Sequence, residues 1–169
     1  MTVIACKDGV MAADTGSWHG NVKPGGRATK IVRLADGSLF GAAGWKPTIL
    51  VAREWLNAGM PLADRPDKAD DDDLSGIMLK TDMSIWNINH RFELYPSDAE
   101  IDAVGSHTEF LYGAMLAGAS AEEAVRLAIK HCNGAAGEVQ VERIALLAAH
   151  IGTSRFTQKP FYASARGWV

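Results

Sequence analysis

Thr2-Val3-Ile4-Ala5-Cys6-Lys7-Asp8-Gly9-Val10-Met11-Ala12-Ala13-Asp14 follows directly behind Met1. Its two apolar runs, 3–6 and 10–13, flank Lys7-Asp8-Gly9, and Asp-Gly between apolar runs is the strongest short-range signal for a β-hairpin. A Gly/Pro-rich loop over 16–26 comes next. The hairpin design then repeats as Ile31-Val32-Arg33-Leu34, Ala35-Asp36-Gly37 and Ser38-Leu39-Phe40-Gly41-Ala42-Ala43, with Gly41 to Gly44 read as a tight turn closing the strand. Two consecutive hairpins imply antiparallel sheet. A strand that starts at residue 3 frays unless something ties it down.

Further along, Ile49, Leu50, Ala52, Trp55 and Leu56 keep a helical period over 47–58, with Pro47 at the start and Gly59 just past the end. The stretch 61–73 carries two prolines and Asp70-Asp71-Asp72-Asp73, a solvated loop without the spacing of an EF-hand. Short strands are expected at 77–79, 85–88, 92–95 and 101–104, separated by turn residues. Ser106 is placed to cap a helix through Ala117 whose apolar residues, Phe110, Leu111, Tyr112 and Met115, exceed what one face buries. Ser120-Ala121-Glu122-Glu123 is close to a capping box for a second helix ending at His131. Asn133-Gly134 and Gly137 then break the chain before 139–149 and a terminal strand near 161–165. Strands, a helix, more strands, a helix pair and closing strands suit a layered α+β fold in one domain, 1–169.

Composition narrows function by exclusion. Hydrophobic residues make up 47% and charged residues 22% of 169, as in a globular domain. The net charge of −3 comes without a basic cluster, which argues against nucleic acid as a partner. No apolar run reaches the roughly 18 to 20 residues of a membrane span, and a cytoplasmic protein is expected. Two cysteines, Cys6 and Cys132, make no disulfide framework. The five histidines lack metal-ligand spacing, and there is no Gly-x-Ser-x-Gly, no phosphate loop and no His-Glu-x-x-His, so no metal or cofactor is expected.

Thr2 is the residue with chemistry. A small second residue tolerates removal of Met1, which would leave a threonine carrying a hydroxyl and a free α-amine together. An α-amine pKa of about 7.7 to 8.0 leaves a useful neutral fraction near neutrality, so nucleophile and base sit on one residue.

On Thr2-Val-Ile-Ala, Val10-Met-Ala-Ala-Asp14, Lys30-Ile-Val-Arg-Leu34, Phe40-Gly-Ala-Ala-Gly44, Ala103-Val-Gly-Ser106 and the helix pair after them, the chain resembles the catalytic β-subunits of proteasomes. More closely it resembles HslV peptidases and their short bacterial homologues. The resemblance implies an N-terminal-nucleophile hydrolase with a four-layer αββα sandwich. It implies that Thr2 attacks the scissile carbonyl, that Lys30 favours the alkoxide and the neutral amine, and that Asp14 holds Lys30. It further implies that the N–H of Gly41 donates to the oxyanion and that Ser106 orients the terminal amine. Where proteasome subunits carry Asp and Ser after the second helix, this chain has Asn133 and Ala136: Asn133 supplies an acceptor without charge, and the side chain of Ala136 supplies nothing. A homo-oligomeric ring, two stacked rings of six or seven subunits fed by an ATP-dependent unfoldase, is the implied assembly, and polypeptide the substrate. A proteasome-like shell that lost activity, or an amidase for small substrates, are the alternatives.

Overall fold

The computed structural model describes residues 1–18, 22, 25–71 and 73–145. Its first hairpin is β1 (Val3–Lys7) and β2 (Val10–Asp14), joined through Asp8 and Gly9, both at positive φ as the Asp-Gly signal requires. β1 also pairs antiparallel with β8 (Ile101–Gly105), and β2 with β9 (Val139–Arg143), giving one sheet ordered β8-β1-β2-β9. The chain's first strand is therefore central, which answers the fraying problem. The second sheet is ordered β3-β4-β5-β6-β7, from β3 (Ile31–Arg33), β4 (Leu39–Gly44), β5 (Leu74–Leu79), β6 (Ile85–Asn89) and β7 (Leu94–Pro96). The described residues also hold three α-helices, α1 (Lys46–Asn57), α2 (Thr108–Leu116) and α3 (Ala121–His131), and a single 3-10 turn over Leu62–Asp64.

Side-chain alternation along the strands assigns every layer. Val3, Ala5, Ala12 and Ala103 face Leu111, Met115, Ala124 and Ala128 of the α2–α3 layer. Ile4, Cys6, Met11 and Ala13 point the other way, into a core shared with Ile31, Leu39, Ile77 and Leu79 of the second sheet. Phe40, Ala42 and Met78, on that sheet's far face, pack against Ala52, Trp55 and Leu56 of α1. The layers run helix, sheet, sheet, helix, the αββα sandwich that the resemblance implied.

Several local expectations are corrected. Residues 41–44 form no turn: they continue β4 to Gly44, paired throughout with β5, and Gly41 pairs with Ile31 of β3 as well. Phe92 lies outside β7 at φ 56, because Asn89 Oδ1 accepts the N–H groups of Arg91 and Glu93 and bends the chain there. Ser106 does not cap α2. Gly105 at φ 101 and His107 at φ 61 turn the chain first, and His107 takes the cap position without a side-chain hydrogen bond. The capping box of α3 forms as read: Glu123 N–H donates to Ser120 Oγ at 3.2 Å, and Ser120 N–H to Glu123 Oε2 at 2.8 Å. Lys7 finishes α2 by donating to the carbonyls of Met115 and Ala119, 3.0 Å each. On α2, Leu111 and Met115 are buried while Phe110 and Leu116 are exposed. The expected strand near 161–165, and residues 146–149 of the segment before it, lie outside the described residues.

Candidate active site

Thr2 sits where β1 begins, under the turn that ends β8. Ser106 N–H donates to the Thr2 carbonyl at 2.7 Å. Gly105 makes that approach possible: a Cβ on it would lie 2.1 Å from the Thr2 oxygen, so only glycine fits. Ser106 thus contacts Thr2 through its backbone.

Asp14, at the end of β2, is fully buried and saturated. Its Oδ1 accepts Val3 N–H at 2.9 Å and the Lys30 ammonium at 2.6 Å. Its Oδ2 accepts Ala136 N–H at 3.1 Å and Gly16 N–H at 3.3 Å. Three backbone donors and one cation offset the cost of burying the carboxylate. The Lys30 side chain is 8% exposed, and its ammonium also donates to the Met1 carbonyl at 3.3 Å. Burial pushes the Lys30 ammonium below its ordinary value, while the hydrogen bond and charge of Asp14 act against that. The Lys30 ammonium therefore stands at the carbonyl joined to the Thr2 nitrogen, paired with a carboxylate whose two oxygens are both engaged by backbone donors.

Of the residues singled out by sequence, Thr2, Asp14, Lys30 and Ser106 come together. Gly41 does not join them. In β4 the ladder alternates, and because Trp45 N–H donates to the Asp73 carbonyl, Gly41 N–H points to Ile77 on β5 and is spent in the sheet. Gly41 instead keeps the sheets close, since a Cβ there would meet Met11 Sδ at 3.0 Å and Ile4 Cδ1 at 3.2 Å. Ala43, two residues on, is the β4 residue bordering Gly105 beside Thr2. Asn133 is exposed and lines a cleft of about 530 Å³ together with Met1, Trp18, Ile129, Lys130 and Cys132. Ala136, dismissed for its side chain, contributes its backbone N–H to Asp14. No sequence signal marks that contact, which joins residues 122 apart. Among the described residues no group of three or more His, Cys, Asp or Glu is arranged to hold a metal.

No protein-family model matches the sequence, and no curated protein matches it. Solved structures do. Eukaryotic HslV from Trypanosoma brucei aligns with a TM-score of 0.65 at 20% identity, over 84% of this chain and 98% of that one. The chain has the HslV fold. Thiobacillus denitrificans BPH aligns at TM-score 0.58 and 20% identity, over 85% of this chain and 98% of its own. The same protein in complex with Epoxomicin aligns at 0.58 and 19%, over 86% and 99%. These alignments cover nearly the whole of each neighbouring chain.

Proposed function

We propose that this chain is a threonine-type peptidase subunit that works as a single domain, processed so that it begins at Thr2. The observation that carries the proposal is the Asp14–Lys30 pair, buried behind Thr2 with its cation 3.3 Å from the carbonyl on the Thr2 nitrogen. A buried ion pair is weak as a stability device, and its position beside a hydroxyl-bearing residue at a strand terminus gives it a chemical purpose.

In the processed chain the Thr2 α-amine takes the proton from Thr2 Oγ1, and the oxygen attacks the substrate carbonyl. Lys30 favours the alkoxide and the neutral amine by charge, and Asp14 keeps that charge in place. Backbone N–H groups of β4 beyond the end of β3 serve as oxyanion donors in place of Gly41, where one donor is worth about 3 to 4 kcal/mol. The ammonium formed at Thr2 returns the proton to the leaving amine, leaving an ester on Thr2. Water then attacks that ester with the same amine as base. Ser106 holds the Thr2 carbonyl through its N–H, and Asn133 faces the cleft through which a polypeptide reaches Thr2.

A neighbour solved with Epoxomicin and the HslV fold support polypeptide as the substrate class. A homo-oligomeric ring of six or seven subunits, doubled, in the cytoplasm and supplied by an ATP-driven unfoldase, completes the proposal. No described helix is long and apolar enough to cross a membrane. The test is Thr2→Ala, which abolishes hydrolysis of fluorogenic peptides while light scattering shows an unchanged assembly. Parent-like turnover by this variant overturns the peptidase assignment.

A further inference from the structure

Among the described residues β3 is the edge strand of its sheet, and on the side away from β4 its backbone groups face no described strand. A side chain takes that place. From β9, Gln140 Oε1 accepts Lys30 N–H at 2.9 Å and Ile31 N–H at 3.2 Å, and Gln140 Nε2 donates to the Ile31 carbonyl at 2.7 Å. A carboxamide carries an acceptor and a donor in the arrangement of a peptide group, so it pairs with an edge as a strand would. Its orientation is fixed by its partners, because the reverse would set an NH₂ against two N–H donors.

The contact reaches across 110 residues of sequence and fastens the backbone of Lys30 itself. Asp14 fixes the other end of the same side chain at Nζ. Ala136, four residues before Gln140, holds Asp14. One short segment therefore secures both members of the pair, Asp14 by a backbone N–H and Lys30 by a carboxamide. The seam between β3 and β9 has a separate tie, Arg33 Nη2 donating to the Arg143 carbonyl at 2.8 Å, so the sheets stay joined without Gln140.

We propose that Gln140 is a positioning residue for Lys30, clamping its backbone so that the ammonium stays on Asp14 beside Thr2, meeting the Met1 carbonyl before processing and the Thr2 amine and hydroxyl after it. The inference rests on the assignment of Lys30 as the activating cation. With the clamp gone, the lysine stem pivots about Asp14, and a displacement of about 1 Å in a catalytic group costs on the order of a hundredfold in rate.

Gln140→Met keeps the length of the side chain and removes its polar atoms. In the processed chain it lowers kcat by about tenfold to a hundredfold with KM within about twofold, and moves the pH limb of kcat/KM. The Nζ resonance of isotope-labelled Lys30 shifts as well. Unchanged kcat, an unmoved pH limb, or a loss that only follows the unfolded fraction overturns the clamp. Hydrogen exchange on the parent decides the matter should the variant not fold: Lys30 and Ile31 amides exchange as slowly as ladder amides of β1, and fast exchange at both overturns the proposal. A parent without peptide turnover defeats the peptidase assignment instead, and the clamp is then judged by exchange and by the Lys30 resonance.

Discussion

Asp14→Asn preserves the shape of the side chain and removes its charge at a carboxylate that holds four hydrogen-bond donors. The parent carboxylate takes three backbone N–H groups and the Lys30 ammonium on two oxygens. An amide has one acceptor oxygen for those four donors and turns an N–H toward the rest. Lys30, 8% exposed, loses its anion. Stranding one partner of a buried pair costs about 3 to 5 kcal/mol. In a chain of this size each kcal/mol lowers Tm by about 2 to 4 °C, so a fall of roughly 6 to 20 °C is expected at neutral pH. Lys30→Met removes the cation and leaves a carboxylate that still holds three N–H groups, so its loss is smaller. In the double variant the costs do not add, and the shortfall of about 1 kcal/mol or more measures the coupling. The pH dependence has a definite sign. Without Asp14 the Lys30 pKa falls further below 10.5, the unfolded chain binds more protons, and the stability of Asp14→Asn rises with pH toward 10.5 relative to the parent. Urea unfolding and calorimetry between pH 6 and 10 supply the measurement. Asp14→Asn melting within about 2 °C of the parent, with additive double-variant costs, refutes the burial argument.

Gly105→Ala places a Cβ 2.1 Å from the Thr2 oxygen at φ 101; backbone strain of about 1 to 3 kcal/mol adds to the clash, and peptide turnover falls with Tm, whereas parent-like values of both contradict the geometry. Cys6 is buried beside Asp102 with its thiol pushed up to about 12, while Cys132 is half-buried at the cleft, so a thiol reagent near pH 8 titrates one cysteine in the native protein and two after unfolding. Tyr112, raised from 10.0 to about 12 by burial and by its hydrogen bond to Asp102, contributes stability that is complete below pH 10 and lost as pH rises toward 12. Tyr112→Phe consequently unfolds with a shallower alkaline slope across that window, and equal slopes for the two proteins reject this.

The hairpins were legible because their information is local. Asp8-Gly9 and Asp36-Gly37 name the turns, and alternation names the buried face. The Ser120 capping box was legible for the same reason, its partners lying three residues apart. Thr2 stands out by its own chemistry behind Met1, Asp14 and Lys30 came through resemblance, and the structure brings the three together. What failed was local chemistry overruled from a distance. Ser106 reads as a helix cap, yet closing over Thr2 bends the chain at Gly105 and His107 before α2 starts. Gly41 reads as a turn, yet neighbours on both sides draw it into β4. Ala136 and Gln140 left no trace because their contacts, a backbone N–H and a carboxamide, are made more than a hundred residues away and involve groups that any sequence possesses.

If Thr2 is the nucleophile proposed above, the saturated carboxylate of Asp14 also sets when the site is complete. Its donors come from residue 3, from Gly16, from Lys30 and from Ala136, so nearly the whole described chain must be synthesised and docked before the last of them arrives. Contacts separated by that much sequence form late, since the loop-closure cost comes before the reward. A nascent or half-folded chain holds Thr2 without its pair, an ordinary threonine at the head of an unanchored strand. On the proposed peptidase reading the order of assembly works as a safety catch: the reactive group is completed only when the sandwich closes around Asp14, when the chain no longer exposes unfolded segments to be cut.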